Sequence, residues 1–423
     1  MAKSIEFKRL ANGLPLLKVA VAGTASACLL ALIKVGSRLE TSSEQGLSHF
    51  LEHMLFKGTA TWPTAKELTG LLDGVGAEYN AYTAKEYTGY YIKVAAEYLP
   101  LAAQVLQEMF WQSRLDETEM NKEKNVIVEE INMYEDNPLL YINDVLEGAL
   151  YQGSSLGNLI SGSRASVTNL RHNQLKNFWQ RYYHPHNMTL TMSGKISPTV
   201  EKKVRQIFSQ SRTAGNLGRY QTFKPQLGVP RVAVHFKDTE QVQLAYAFPS
   251  YGYGHKNLPT VRLLAVILGG NMSSRLFVRL REKEGLCYSV RCSTDQYFGT
   301  GSLVIQAGLD KSRLELAIQL IREELAKVAQ NGVTDDELIR AKEYTKGSLT
   351  LAMEDSLAQA EWAGKRYFLE GSFESAHDYL QRLSLVKLTD IKKVARQILQ
   401  TNRPTLALIG PYKNSKPFTR LLT

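Results

Sequence analysis

The sequence contains two halves that follow the same order of elements, and this restricts the fold more than any other feature. Residues 94–130 begin with a strand end, continue through an amphipathic helix and a short acidic turn, and enter a second helix that opens with acidic residues. Residues 305–348 repeat that order, and aligning Glu119 with Glu337 superimposes the two stretches without a local gap. Apolar residues recur at three- and four-residue spacing, as half-buried helices require. The pattern indicates an internal duplication.

The duplication predicts two related α+β domains, each a mostly antiparallel sheet packed with helices. Strands and helices mix without the strict alternation that a parallel sheet would need. We predict a first domain over residues 1–215, a polar linker with Gly and Pro over 216–230, and a second domain over 231–423. A chain of 423 residues is long enough for both cores.

The composition is that of an ordinary globular protein, with 44% hydrophobic and 22% charged residues, and it excludes disordered and fibrous classes. A formal net charge of +10 would suit an acidic partner. Because Lys and Arg are dispersed among Asp and Glu, a solvated basic surface is expected, and nucleic-acid binding is not. The alternative is a basic cavity or face that attracts acidic segments of a substrate.

Cysteine usage and the N-terminal region indicate the compartment. Cys28, Cys287 and Cys292 form an odd and sparse set without a CxxC pair, which favours a reducing compartment and argues against a thiolate zinc site. Residues 14–35 are rich in apolar side chains, but two lysines interrupt the run, and we predict two buried strands joined by a turn. We therefore expect a cytoplasmic protein with no membrane span and no cleaved leader.

Residues 46–59 read GLSHFLEHMLFKGT and place His49, Glu52 and His53 in an HxxEH pattern. On a helix these positions share one face, so the two imidazoles can hold one zinc ion, while Glu52 lies beside it and can take a proton from a bound water. This inverted form of HExxH is a peptidase signature, and a chance match in a chain of this size has a probability of roughly 1%. The alternative is a pair of surface histidines, but the flanking apolar residues predict a mostly buried helix, where unliganded polar groups are costly.

Two histidines leave a zinc site in need of a third protein ligand, with the fourth position open to water. The predicted helix over residues 123–135 offers Glu123 and Glu130, which lie seven residues apart on one face. Glu129 is about 100° around the helix from Glu130. From the residues alone Glu130 is the preferred ligand, Glu129 is its main rival, and an exposed helix charge is the alternative for each glutamate.

Over nearly its whole length the sequence resembles the pitrilysin, insulysin and mitochondrial processing peptidase family of inverted-motif zinc peptidases, in its short two-domain form. The resemblance rests on NGLPLLKV, GSRLETSSEQGLSHFLEHMLFKGT, GAEYNAYTAKEYTGYY, EKNVIVEEINMYEDNP, YYHPHNMTLTMSGKI, LGGNMSSRLFVRLREKEGLCYSV and TDDELIRAKEYTKG. It implies a processing-peptidase-like fold of the LuxS/metallohydrolase type. It also implies that Glu130, 77 positions after His53, is the third ligand and that Glu123 supports the site from outside the ligand set.

The resemblance further implies a set of substrate-binding residues. Arg281 and Tyr288, in LREKEGLCYS, would hold the substrate and stabilise the tetrahedral intermediate. Residues 79–83 (YNAYT) would form an edge strand to which an extended peptide adds through backbone hydrogen bonds, with Asn80 and Ala81 as substrate-binding candidates. The alternative for this segment is an ordinary sheet strand.

The second half carries no copy of the metal site. Under the repeat alignment the corresponding positions hold residues that offer no histidine or carboxylate ligand: Thr260, Leu263, Leu264, Ala341 and Ser348. We therefore expect one zinc ion per chain, in the first half.

Together these observations predict a zinc-dependent metalloendopeptidase. The resemblance implies extended or unfolded peptide substrates, a clam-shell chamber, and a homodimer in which Arg281 and Tyr288 complete the partner's site. One alternative is a non-catalytic scaffold or partner subunit of a processing-peptidase-type complex, although such subunits usually lack part of the zinc motif. The other is a basic nucleic-acid-binding protein.

Overall fold

The computed structural model describes residues 5–209, 220, 221, 223, 231–400 and 403–422. In these residues the strands are β1 (Ile5–Arg9), β2 (Pro15–Ala20), β3 (Ser26–Ile33), β4 (Glu78–Thr83), β5 (Thr88–Ala95), β6 (Met188–Gly194), β7 (Arg231–Phe236), β8 (Gln241–Ser250), β9 (Cys287–Tyr297), β10 (Thr300–Asp310) and β11 (Thr405–Gly410).

The α-helices of the same residues are α1 (Leu47–Leu55), α2 (Ala65–Asp73), α3 (Leu99–Trp111), α4 (Glu117–Asp136), α5 (Pro138–Leu150), α6 (Arg164–Asn169), α7 (His172–Tyr182), α8 (Pro198–Ser209), α9 (Leu258–Gly269), α10 (Leu314–Asn331), α11 (Asp335–Ala352), α12 (Ser356–Glu370), α13 (Ala376–Ser384), α14 (Leu388–Leu399) and α15 (Lys416–Thr419). A π-helix spans Phe277–Lys283.

The strands form two mostly antiparallel sheets. The first has the order β1-β2-β6-β3-β5-β4, and only β2 and β6 run parallel. The second has the order β7-β11-β8-β10-β9, and only β7 and β11 run parallel. Apart from β1, each strand of the first sheet has a counterpart in the second with the same neighbours and direction. The predicted fold class, two duplicated α+β domains, is confirmed.

The duplication extends to the helices that follow the sheets. In the first half β5 leads into α3 and α4, and in the second half β10 leads into α10 and α11. Acidic residues occupy the first turns of both α4 and α11, where the helix dipole favours negative charge. This is the order that the repeat predicted from the sequence.

The central strand β3 explains why residues 14–35 are so apolar. One set of alternate side chains, including Leu29 and Ile33, packs in the core with α1 and α3. The other set, including Leu30 and Leu32, packs against Ala360 of α12. A strand covered on both faces needs no polar face. The two predicted strands are present as β2 and β3, although β6 lies between them in the sheet.

The chain divides into two compact units. The first consists of Met1–Asn132, Asn158–Tyr220 and Leu349–Asp378, and the second of Met133–Gly157, Gln221–Ser348 and Tyr379–Thr423. Helix α12 therefore belongs to the first unit, where Lys93 of β5 forms an ion pair with Asp355. The predicted linker, 216–230, lies almost entirely outside the described residues, and the predicted domain boundaries stay predictions. No helix in the described ranges is both long and apolar enough to cross a membrane.

Candidate metal centre

Helix α1 carries the HxxEH residues on its less buried side. The opposite side is apolar and fully buried through Leu47, Phe50, Leu51, Met54 and Leu55. The side chains of His49 and His53 retain 12% and 24% of their exposed area. The sequence folds this way because apolar residues recur along the helix at positions that face the core.

The start of α1 is fixed by a buried carboxylate. Glu40 accepts hydrogen bonds from the backbone N–H groups of Gly46, at 2.8 Å, and Ser48, at 2.7 Å. These amides have no partner within the helix, so Glu40 satisfies them. Burial raises the pKa of Glu40 to about 7, even though both hydrogen bonds favour the charged form. Gly46 has φ +92, and a Cβ there would lie 2.7 Å from the carbonyl oxygen of Ser161, so only glycine fits.

Helix α4 supplies the carboxylates. Its buried face consists of residues at three- and four-residue spacing: Met120, Glu123, Ile127 and Ile131. Glu130 lies beside that face with 27% of its side chain exposed, whereas Glu129 is exposed. The packing of α4 therefore turns Glu130, and not its neighbour, towards α1.

Three acceptor atoms converge between α1 and α4. The Nε2 atoms of His49 and His53 are 3.3 Å apart, and Oε2 of Glu130 lies 3.6 and 3.5 Å from them. Two ligands of a tetrahedral zinc ion with bonds of 2.0–2.1 Å are separated by about 3.3–3.4 Å. No other group of three potential ligands from His, Cys, Asp and Glu meets at one point in the described ranges. The donor set fits zinc in both chemistry and spacing.

Both imidazoles can present Nε2 to a cation. Nδ1 of His53 lies 2.9 Å from Oε1 of Glu123, so the ring can donate its Nδ1–H to the carboxylate, and in the neutral ring Nε2 then carries the lone pair. Burial, and then the nearby charge of His53, lowers the pKa of His49 to about 3, which keeps that ring neutral. A metal cation bound between the three atoms would take the place of the second proton of His53, and both rings would then face it as acceptors.

Glu123 is held from its other side by Lys57. Nζ of Lys57 lies 2.5 Å from Oε2 of Glu123, whose side chain is only 5% exposed. Burial alone would raise the pKa of Glu123, but the hydrogen bonds from His53 and Lys57 outweigh it and lower that pKa. Burial alone would lower the pKa of His53, but its hydrogen bond with Glu123 and the charges of nearby glutamates raise it.

Glu52 stays outside the donor set. Its Oε2 accepts a hydrogen bond of 2.5 Å from the hydroxyl of Thr83, at the end of β4. Burial raises the pKa of Glu52, against the opposing effects of the Thr83 hydroxyl and the His53 ring. A half-buried carboxylate with a raised pKa beside a metal-binding group is a common environment of a catalytic base.

Comparison with known proteins places the chain in a family. Residues 18–164 match the model described as insulinase (peptidase family M16), and residues 169–344 match the model described as the peptidase M16 inactive domain. The uncharacterized zinc protease YmxG of Bacillus subtilis is 36% identical over 382 residues, which cover 90% of this chain and 92% of that protein. The chain belongs to the M16 peptidase family. The family resemblance inferred from the motifs is thereby confirmed.

Solved structures of low sequence identity share this fold over nearly the whole chain. A protease from Helicobacter pylori superimposes with a TM-score of 0.91 at 22% identity, covering 97% of this chain and 100% of that one. A chain of complex III2 from Candida albicans, solved with Inz-5 bound, gives a TM-score of 0.85 at 15% identity, with 99% of each chain covered. At these identities the likeness concerns the fold alone.

The strand predicted as a substrate edge is β4, the last strand of the first M16 sheet. It pairs with β5 on one side, with Ala81 opposite Tyr90. Asn80 is exposed, and its Oδ1 accepts a 2.8 Å hydrogen bond from the N–H of Ala81. The edge position is the one that strand addition requires. The binding roles of Asn80 and Ala81 stay predictions.

Arg281 and Tyr288 lie together in the second unit. The Arg281 guanidinium lies 4.9 Å from the centre of the Tyr288 ring and 4.8 Å from that of Phe277. Tyr288 is 79% exposed, which is unusual for so large a side chain. Arg281 belongs to the π-helix, a distorted form that occurs frequently at functional sites. The pair is thus available to a ligand, and its catalytic role stays a prediction.

Sequence reasoning missed three residues of this region. Lys57 follows His53 by one helical turn, and that spacing could have identified it. Thr83 is 31 residues from Glu52, and Glu40 is 8 residues before Ser48. No local spacing rule connects either pair, because sheet packing and a loop bring them together.

Proposed function

We propose that this M16 chain is a zinc-dependent endopeptidase that hydrolyses peptide bonds in extended or unfolded peptides, with one zinc ion per chain. The observation that carries the proposal is the convergence of His49 Nε2, His53 Nε2 and Glu130 Oε2 beside a carboxylate, Glu52, that is not part of the set. Three protein ligands with an open fourth position are typical of catalytic zinc, whereas structural sites are closed by four.

Glu52 would act as the base. Zinc held by the three ligands would polarise the scissile carbonyl and lower the pKa of a bound water. Glu52 takes one proton from the attacking water and passes it to the leaving nitrogen, so its own charge is restored after each turnover. Burial raises the pKa of Glu52, which brings its proton affinity closer to that needed for transfer in both directions.

Substrate would bind in two ways. The outer edge of β4, opposite its pairing with β5, offers backbone groups for strand addition, with Asn80 and Ala81 in contact with the peptide, which gives a broad preference for extended chains. Arg281 and Tyr288 bind the substrate or the oxyanion, because a cationic and a hydroxyl donor stabilise developing negative charge. We propose that the active form is a homodimer in which this pair completes the partner's site.

The first test combines metal analysis with digestion of a mixed peptide library by the purified chain, with and without a chelator. We expect close to one zinc ion per chain and cleavage that the chelator removes. Glu52→Gln should keep the zinc and lose the cleavage, since it preserves shape and removes the base. Full activity in that variant would contradict the assignment of Glu52.

A non-catalytic scaffold role is the second candidate. It is favoured by the likeness in fold to a chain of complex III2 and by the inactive-domain match of the second half. The complete donor set and the separate base support catalysis instead. A wild-type chain that binds zinc but cleaves no peptide in the library would favour the scaffold role.

A further inference from the structure

The hydroxyl of Thr83 is the one hydrogen-bond donor that the structure shows to Glu52 within the described residues, at 2.5 Å from Oε2. Glu52 lies on α1 beside the two histidines and is half-buried. A glutamate side chain has several rotatable bonds, and ordering it costs conformational entropy. A base anchored by a single donor therefore depends on that donor for its orientation.

We propose that Thr83 is a positioning residue that orients the Glu52 carboxylate for proton transfer. The inference rests on the proposed function, in which Glu52 is the base. Thr83 donates to Oε2, and no donor to Oε1 is found in the part of the chain that the structure describes, so we assign Oε1 as the oxygen that accepts the proton from water. The proton then leaves Oε1 for the amine nitrogen, while the Thr83 proton stays on its own oxygen throughout.

The position of Thr83 is set by the sheet and not by α1. Thr83 ends β4 opposite Thr88 of β5. Side chains alternate across a strand, so Tyr79, Ala81 and Thr83 share the face towards α1. On that face the Tyr79 ring stacks with Phe56 at 6.4 Å. The hydroxyl therefore reaches Glu52 from a separate, hydrogen-bonded element, which is what a preorganised site requires.

The opposite face of β4 supplies a matched control. The hydroxyl of Tyr82 donates to Glu361 of α12 at 3.0 Å. Tyr82→Phe therefore removes a half-buried hydroxyl and its carboxylate hydrogen bond from the adjacent residue, but on the face away from α1. It reproduces the general cost of losing a polar contact in this strand without touching Glu52.

The experiment compares Thr83→Val, Thr83→Ser and Tyr82→Phe by kcat, KM, zinc content and thermal unfolding midpoint, using one quenched-fluorescence peptide identified from the library. We expect Thr83→Val, which keeps the shape and removes the hydroxyl, to keep its zinc and KM and to lose about 10- to 100-fold in kcat. Thr83→Ser, which restores the hydroxyl, should stay within about 3-fold of wild type, and Tyr82→Phe should leave kcat unchanged. A crystal structure of Thr83→Val should show the Glu52 carboxylate rotated or in several conformers.

The outcomes separate this inference from the proposed function. Cleavage by wild type together with an unchanged kcat in Thr83→Val overturns the role of Thr83 and leaves the peptidase proposal standing. An equal loss of kcat in Thr83→Ser and Thr83→Val would also overturn it, because a variant that keeps the hydroxyl would then be no better than one that lacks it. Zinc-loaded wild type that cleaves nothing overturns the peptidase proposal and this inference together. If Thr83→Val fails to fold, Thr83→Ala takes its place under the same criteria.

Discussion

Replacing Glu123 by Gln tests whether the residues behind the ligands set the affinity for zinc. Glu123 accepts a hydrogen bond from Nδ1 of His53 at 2.9 Å and contacts Nζ of Lys57 at 2.5 Å. Gln keeps the size and one acceptor oxygen, but it removes the negative charge. The His53 ring then loses its charged acceptor, and Lys57 loses its counter-ion.

The magnitude follows from the surroundings of Glu123. Its side chain is 5% exposed, so water cannot replace the lost carboxylate. A hydrogen bond to a charged group contributes about 1.5–3 kcal/mol in such a setting. Loss of a carboxylate that supports a ligating histidine typically costs about 10- to 100-fold in metal affinity, which is about 1.4–2.8 kcal/mol. The two ranges agree, and we expect a loss of that size in Glu123→Gln.

The assay is competition for zinc with a chelator of known affinity, read without any substrate. Glu119→Gln is the matched control, because Glu119 lies one turn earlier on α4, is 37% exposed in its side chain and pairs with Lys122 on the helix surface. We expect the control to bind zinc like wild type and Lys57→Met to show part of the Glu123→Gln loss. Wild-type affinity in Glu123→Gln would refute the reasoning, because the charge on the carboxylate would then not matter.

Three further predictions concern other parts of the molecule. Glu130→Gln should lose more than about 100-fold in zinc affinity, because substitutions outside the ligand set already cost up to about 100-fold. Glu129→Gln should lose no zinc affinity, and equal effects in the two variants would contradict the choice of Glu130 as the ligand. If Tyr288 acts on the partner's site, mixing Glu52→Gln chains with Tyr288→Phe chains should restore about a quarter of wild-type cleavage. Half of the re-paired dimers are then mixed, and each mixed dimer has one intact site out of two. No recovery of cleavage would contradict shared sites. Burial raises the pKa of Glu40 from 4.5 to about 7, so between these values the folded state binds a proton that the unfolded state does not. The free energy of unfolding should therefore rise as the pH falls from 8 to 6, by about 1 kcal/mol relative to Glu40→Gln. Urea unfolding at both pH values measures this, and identical pH dependence in the two proteins would contradict it.

The local part of the candidate site could be predicted from the sequence. The spacing of His49, Glu52 and His53 determines a shared helix face, whatever the rest of the chain does. The duplication, the two mostly antiparallel sheets and the pair of strands within residues 14–35 were also predicted, because each depends on a periodic pattern. These features need only short stretches of chain, and the structure contains them.

The long-range part could not be predicted from the residues alone. The choice between Glu130 and Glu129 depends on which face of α4 packs against the core, and the helix has charged residues on several faces. The insertion of β6 between β2 and β3 depends on a strand about 160 residues further along the chain. The contact of Thr83 with Glu52 depends on the packing of α1 over the end of β4. Each is a consequence of tertiary packing, which local patterns do not record.

Metal binding and folding are linked by the way the site is assembled. The imidazoles come from α1 and the carboxylate of Glu130 from α4, 77 positions after His53, so the three acceptors meet only in the folded chain. A cation bound between these atoms, which lie 3.3–3.6 Å apart, would link the two helices and stabilise only the folded chain. A metal present at a thousand times its Kd adds about 4 kcal/mol to the stability of the folded state. Chelation should therefore lower the thermal unfolding midpoint equally in wild type and in Glu52→Gln, because Glu52 is outside the donor set; a smaller shift in the variant would mean that Glu52 belongs to it.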